Sequence, residues 1–196
     1  MKVGVLAVQG AFIEHERRLR ELGAEVFEIR QVGDIKAPFD GLVLPGGEST
    51  VQGKLLRELG LFEPLRARIA GGLPVFGTCA GLILLAKRLK DDPTVHFGLL
   101  DVTVERNAYG RQLGSFHAEA PFAGGPAVPL SFIRAPAVRA TGSSVEVLAT
   151  VDGVPVAVRQ GAILATAFHP ELDPDATVHR AFASLITTTR CPGGRQ

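Results

Sequence analysis

The 196-residue chain has no tryptophan, a single tyrosine, a single methionine and two cysteines. Two cysteines, Cys79 and Cys191, cannot build a disulfide framework, so a reduced, cytoplasmic setting is the expectation. Neither sign of charge prevails: 21 Lys and Arg stand against 20 Asp and Glu. Nothing therefore draws the protein electrostatically toward nucleic acid or an anionic membrane. Long hydrophobic runs are missing as well. The opening MKVGVLAVQG holds only a six-residue apolar run at 3–8, too short for a signal-peptide core or a membrane span, and no later segment reaches membrane length. No HExxH or CxxC spacing occurs, and no Walker or GxGxxG loop, so neither a metal nor a cofactor is expected. No internal repeat and no interdomain linker is visible. The ligand is expected to be a small molecule or another protein.

What is present is a folded composition, with 46% of residues hydrophobic. KVGVLAV (2–8) reads as a strand buried on both faces. AFIEHERRLREL then places Phe12, Leu19 and Leu22 on one helical face, with Gly23 ending it. Strands follow at 24–30 and 41–44, helical stretches around KLLRELG and LRARIAG, a buried strand at 73–76 and a helix over LILLAKRL. Strand–helix alternation over the first 90 residues implies βαβ units and a parallel sheet. The second half reads differently, as short β-branched strands at 99–106, 115–120, 130–135, 145–151, 154–160 and 162–168. The turns VDGVP and RQGA join the last three as an antiparallel meander. PFAGGPAVP (121–129) reads as a loop, HPELDPD as another, and ATVHRAFASLITTT as a closing helix. Residues 1–190 are expected to form one domain and 191–196 a flexible tail.

Three strand ends carry the chemistry. In Gly77-Thr78-Cys79-Ala80-Gly81, a cysteine stands between a buried strand and a helix. That is the nucleophile-elbow arrangement with sulfur in place of oxygen, the helix N-terminus favouring a thiolate. A small buried cysteine at a Gly-rich turn satisfies the same pentapeptide. Phe168-His169-Pro170-Glu171 ends the last strand. His169 and Glu171 lie two apart, so on an extended backbone both point one way, a base and the acid that orients it. A solvated loop histidine beside a capping acid is the plainer alternative. Pro45-Gly46-Gly47-Glu48-Ser49-Thr50 follows the third strand. Its glycines let backbone N–H groups face outward as half of an oxyanion hole, with the Ala80 N–H as the other half; equally, Ser49 or Thr50 is a plain helix N-cap.

PGGEST, GTCAG and FHPE, in this order and spacing, resemble the class I (triad) glutamine amidotransferases. VQGAFIEH, VERNAYGRQ and SFIRAP narrow the likeness to the glutaminase subunits of pyridoxal 5′-phosphate synthase, from about residue 2 to the closing helix. The wider class carries G-x-C-x-G-x-Q, whereas Ile83 stands at the last position here; the pyridoxal subfamily has an apolar residue there. The resemblance implies a three-layer, flavodoxin-like α/β fold: a mixed, mostly parallel central sheet, helices on both faces and an antiparallel β extension in the second half. It implies hydrolysis of L-glutamine to L-glutamate and ammonia, with Cys79 as nucleophile, His169 as proton carrier and Glu171 orienting it. Gly47 and Ala80 would hold the oxyanion. Gly47, Glu48, Ser49, Arg106, Ile133 and Arg134 would bind glutamine, in keeping with the bidentate fit of arginine to carboxylate. The partner implied is a synthase subunit, in a hetero-oligomeric complex, making pyridoxal 5′-phosphate from ribose 5-phosphate and glyceraldehyde 3-phosphate. Gln9 and Gly10, with the helix after them, are the expected docking face. His15, His96, His117 and His179 have no visible partner and read as structural. A glutaminase for another biosynthetic synthase, or a cysteine-elbow protein of the protease or chaperone kind, remains the alternative.

Overall fold

The computed structural model describes residues 1–108 and 114–190. The expected flexible tail at 191–196, Cys191 within it, and part of VERNAYGRQ lie outside the described residues. The first half runs β1 (Lys2–Leu6), α1 (Phe12–Glu21), β2 (Glu25–Ile29), β3 (Gly41–Leu44), α2 (Ser49–Glu58), α3 (Phe62–Ala70), β4 (Val75–Thr78), α4 (Ala80–Leu85) and β5 (Ala86–Leu89). The second runs β6 (Leu100–Glu105), β7 (Ser115–Pro121), β8 (Ala127–Ile133), β9 (Ala137–Thr141), β10 (Glu146–Val151), β11 (Val154–Gln160), β12 (Ile163–Thr166) and α5 (Thr177–Arg190).

The main sheet has seven strands in the order β10-β11-β12-β4-β3-β1-β2. From β12 to β2 every pairing is parallel, while β10, β11 and β12 pair antiparallel. The meander is therefore present, and its last strand enters the sheet beside β4. That pairing sets Thr166 against Thr78, so the chain following β12 and the chain following β4 emerge side by side. Residues 78 and 169 share one end of the sheet for this reason.

Strand alternation decides what each face of β4 meets. Phe76 is buried and its ring lies 5.7 Å from that of His15 on α1 and 5.6 Å from that of Phe182 on α5. Gly77 faces the other way, and a Cβ there would meet Leu85 Cδ1 of α4 at 2.7 Å. Helices α1 and α5 thus cover one face of the strand and α4 the other, with α2 against α4. Among the described residues no helix is long and apolar enough to cross a membrane.

Three expectations shift. The helix anticipated over LILLAKRL stops at Leu85, and Ala86–Leu89 is a strand parallel to β6 in a separate sheet ordered β5-β6-β9. The returning chain is the reason: Phe97 and Leu99 donate their N–H groups to the Leu84 and Leu85 carbonyls at 2.8 and 3.0 Å, taking acceptors that a longer helix would need. Part of the loop at 121–129 is strand, since Ala127–Pro129 pair with Glu119–Pro121 in the β7–β8 hairpin. Finally, β9 was not anticipated; its AVRAT is short and charged, and it pairs antiparallel with β6.

Candidate active site

Cys79 follows β4 directly with φ 49° and ψ −99°, outside the ordinary regions for a residue with a side chain. Strain of this kind costs about 1–3 kcal/mol and persists only where its surroundings enforce it. Two contacts do so. The Cys79 N–H donates to the Thr166 carbonyl at 2.8 Å, tying the turn to β12. Behind it Gly81 lies against β3, where an added Cβ would run into the Leu44 carbonyl. The sulfur is 3.9 Å from the Ile133 carbonyl oxygen and only 6% of the residue is exposed.

His169 is held by its own N–H, which donates to the Ser131 carbonyl of β8 at 2.8 Å. Its Nδ1 lies 2.7 Å from Glu171 Oε1, which leaves Nε2 for the sulfur of Cys79, with which His169 lines one cavity. The route differs from the expected one, because Pro170–Leu172 is a 3₁₀ turn rather than extended chain, and histidine and acid meet across it. Burial alone would lower the pKa of His169, but hydrogen bonds to Cys79 and Glu171, and the charges of both, raise it to about 10. Burial pushes Glu171 up, and the opposing pull of His15 and His169 outweighs it, holding the carboxyl below its usual range. The ring of His169 rests on Gly46 so closely that any side chain there would overlap it.

These groups open on a cavity of about 300 Å³. Cys79, His169 and Ile83 line it, together with Gly47, Glu48, Ser49, Arg106, Ile133 and Arg134 of the anticipated glutamine set. Glu171 is fully buried behind the His169 ring, and Ala80 is 1% exposed behind Cys79. Gln9 and Gly10 also line the cavity, so they form its wall as well as any outer face. Gln9 Oε1 accepts the Glu48 N–H at 2.9 Å, and the Ala11 N–H donates to the Gly46 carbonyl at 3.0 Å. The segment after β1 and the Gly46-Gly47 loop are thereby fastened together.

The two arginines differ. Arg106 is engaged by Thr50 Oγ1 at 3.0 Å, Glu48 at 3.3 Å and Asp92 at 3.4 Å. Arg134 makes no ion pair among the described residues; its φ is 43°, and its N–H donates to the Gly114 carbonyl. The cap of α2 is Glu48, whose carboxylate accepts the Thr50 and Val51 N–H groups at 3.3 and 2.8 Å, in place of the anticipated Ser49 or Thr50.

The residues that sequence reasoning passed over are His15, His179 and Thr78. His15 Nε2 lies 3.1 Å from Thr78 Oγ1 and 3.3 Å from Glu171 Oε2, the hydroxyl being the better-aligned contact. His15 Nδ1 lies 3.1 Å from His179 Nε2. Both rings are fully buried, and burial holds both below the usual histidine pKa. Each sits on the apolar stripe of its helix, His15 four residues before Leu19 and His179 three before Phe182, which was the available signal. The other two histidines are placed apart from this group. His96 is buried against Gly53, and His117 Nδ1 lies 3.0 Å from Ser131 Oγ, which itself donates to Asp173 at 2.8 Å.

Residues 5–188 match the model of the SNO glutamine amidotransferase family. The chain is 57% identical over 189 residues to the pyridoxal 5′-phosphate synthase subunit PdxT of Methanocorpusculum labreanum, covering 96% of this chain and 100% of that one. It is 50% identical over 193 residues to the subunit of the same name from Streptococcus pneumoniae, covering 97% and 100%. Among solved structures, a glutamine amidotransferase superposes with a TM-score of 0.89 at 46% identity over 94% of this chain and 98% of its own. A GMP synthase subunit homologue from Thermoplasma acidophilum shares the fold, with a TM-score of 0.71 at 19% identity over 97% and 96%.

Proposed function

The chain belongs to the SNO glutamine amidotransferase family, and from that premise we propose that it is the glutaminase subunit of a pyridoxal 5′-phosphate synthase. It hydrolyses L-glutamine to L-glutamate and ammonia and delivers the ammonia to a synthase subunit. That partner builds pyridoxal 5′-phosphate from ribose 5-phosphate and glyceraldehyde 3-phosphate. Residues 1–190 act as one glutaminase domain, in a cytoplasmic setting. The observation that carries the reading is the convergence of Cys79, His169 and Glu171, from two separate strand ends, at one small cavity.

The chemistry runs from these positions. The Cys79 sulfur, whose proton His169 already holds, attacks the δ-amide carbon of glutamine. The tetrahedral oxyanion is received by the Gly47 and Ala80 N–H groups. His169, cationic beside the Glu171 carboxylate, gives its proton to the departing nitrogen, the C–N bond breaks, and ammonia leaves a glutamyl thioester. Water, deprotonated by His169, then releases glutamate and regenerates the thiol. The α-carboxylate of glutamine is met by Arg134 and Arg106. Free ammonia at neutral pH is mostly protonated and non-nucleophilic, so transfer within a complex suits the product.

The Gly46-Gly47 loop is fastened to residues 9–11, which makes the segment after β1 the point where a docked partner acts on the oxyanion hole. Ammonia release from glutamine is therefore expected to rise when the synthase subunit is added, and Cys79→Ala is expected to abolish it in both conditions. Equal rates with and without synthase would remove the docking role, and ammonia release by Cys79→Ala would remove the mechanism.

A further inference from the structure

Behind the cavity, α1 and α5 each place a histidine in the dry interior, away from any route to substrate. His15 and His179 are both 0% exposed, and the ring centroids are 5.2 Å apart. Desolvating two imidazoles is costly unless their polar atoms are partnered. The partners fix the tautomers. Glu171 accepts only, so the nitrogen of His15 that faces Glu171 and Thr78, Nε2, carries the hydrogen. The neutral ring then offers a lone pair at Nδ1, so His179 donates from Nε2 across 3.1 Å. His179 Nδ1 is left as a buried lone pair without a partner. Reversing the direction would turn a lone pair of His15 toward the Glu171 carboxylate and strand an N–H in the interior.

His15 therefore touches two parts of the machinery at once. Its Nε2 lies 3.3 Å from Glu171 Oε2, a buried oxygen with no hydrogen bond of its own, on the side opposite His169, whose Nδ1 holds the other carboxylate oxygen at 2.7 Å. The same N–H reaches Thr78 Oγ1, and that hydroxyl accepts the Gly46 N–H at 3.0 Å, next to the proposed oxyanion donor Gly47. From this geometry we infer that His15, backed by His179, is a positioning residue that keeps Glu171 ionised and aimed at His169 and couples that carboxylate through Thr78 to the oxyanion loop.

The inference rests on the glutaminase reading above. Glu171 is faced by His169 from its own turn, His15 from α1 and, through His15, His179 from α5; Glu14 and Arg18 of α1 act on the two histidines from farther off. Removing His15 takes away the polar group nearest Glu171 Oε2, an oxygen with no hydrogen-bond donor of its own, so the carboxyl pKa rises and the acid limb of the rate profile moves up.

The test is the full chain with saturating synthase subunit, wild type against His15→Ala and His15→Gln, the amide nitrogen of glutamine standing in for imidazole Nε2–H. For His15→Ala, kcat is expected to fall about 10- to 100-fold with KM little changed, and for His15→Gln to stay within about threefold of wild type. The acid limb is expected to move up by about one pH unit in His15→Ala and to return in His15→Gln. The pH profile of iodoacetamide alkylation at Cys79 is expected to change in parallel, and it reads the site without glutamine. A His15→Ala variant with lowered Tm but wild-type kcat and acid limb would overturn the inference, as would a folded His15→Gln as impaired as His15→Ala. If wild type released no ammonia, the functional reading would fail instead, while the alkylation profiles would still judge the positioning role.

Discussion

The two faces of β4 are built from opposite materials. Toward α4 the strand presents Gly77, and what packs there is the Leu85 side chain, 0% exposed, beside the backbone of Gly81. Toward α1 and α5 it presents Phe76 and then Thr78, and beyond the phenylalanine ring lies a buried polar group made of Thr78, His15, His179, His169 and Glu171. Cys79 stands where the two meet. The dry side can fix only shape, because close-packed hydrocarbon holds a backbone in one place without discriminating charge. The polar side can fix charge and proton position but is costly unless every donor finds an acceptor. A strained nucleophile needs both, since its φ of 49° must be enforced while its proton is given a destination. The division predicts that rate and stability separate by face.

The largest effect is expected on the polar side. Glu171→Gln keeps the volume but replaces one acceptor oxygen with an NH₂ that must face either His169 Nδ1 or His15 Nε2, both donors in the wild-type arrangement. One imidazole must flip tautomer, and kcat for glutamine hydrolysis is expected to fall on the order of 10³-fold, as loss of an orienting carboxylate does in triads. Steady-state ammonia release checks this, and a loss under tenfold would show that the carboxylate merely fills space.

The dry side is expected to answer in the other currency. Leu85→Ala removes buried methyls beneath Gly77 without touching the Leu85 carbonyl that Leu99 uses. Unfolding by denaturant should show a loss of about 2–4 kcal/mol, with kcat per folded molecule unchanged. A rate loss as deep as that of Glu171→Gln would mean that the elbow is held by α4 side chains, which would break the comparison.

The same contrast explains what the sequence made legible. The parallel half of the sheet was readable because KVGVLAV, GLVL and LPVF are uninterrupted apolar runs, and Cys79, His169 and Glu171 because each follows such a run. Gly81 and Gly46 were readable as glycines, but what they avoid, the Leu44 carbonyl and the His169 ring, is tertiary. The end of α4 was not readable, since LILLAKRL is apolar enough for a helix throughout and only the return of Phe97 and Leu99 stops it. His15 and His179 were passed over because a histidine on an apolar stripe has two fates, and only the approach of α1 to α5, set by chain 164 residues apart, decides between them.

The smallest effect, taken per unit of pH, is a pH dependence of stability that belongs to the polar side alone. His169 titrates at about 10 in the folded protein, against 6.5 when exposed, because Cys79 and Glu171 favour its cation more than burial disfavours it. A group raised on folding stabilises fully below its unfolded value and loses that contribution as pH climbs to the folded one. Between pH 6.5 and 10 the folded state therefore holds a proton that the unfolded chain has released, and stability declines across that window. Burial is already counted in that value, and one proton's difference is worth about 1.4 kcal/mol per pH unit, so Tm is expected to fall by about 3–5 °C for each unit of pH across the window. Melting curves of wild type and His169→Gln, taken from pH 6.5 to 10, should converge as pH rises, because only the wild type has this contribution to lose. Curves that run parallel would show that the His169 cation adds nothing to the fold. The polar face would then resemble the dry one in adding no pH-dependent contribution to stability.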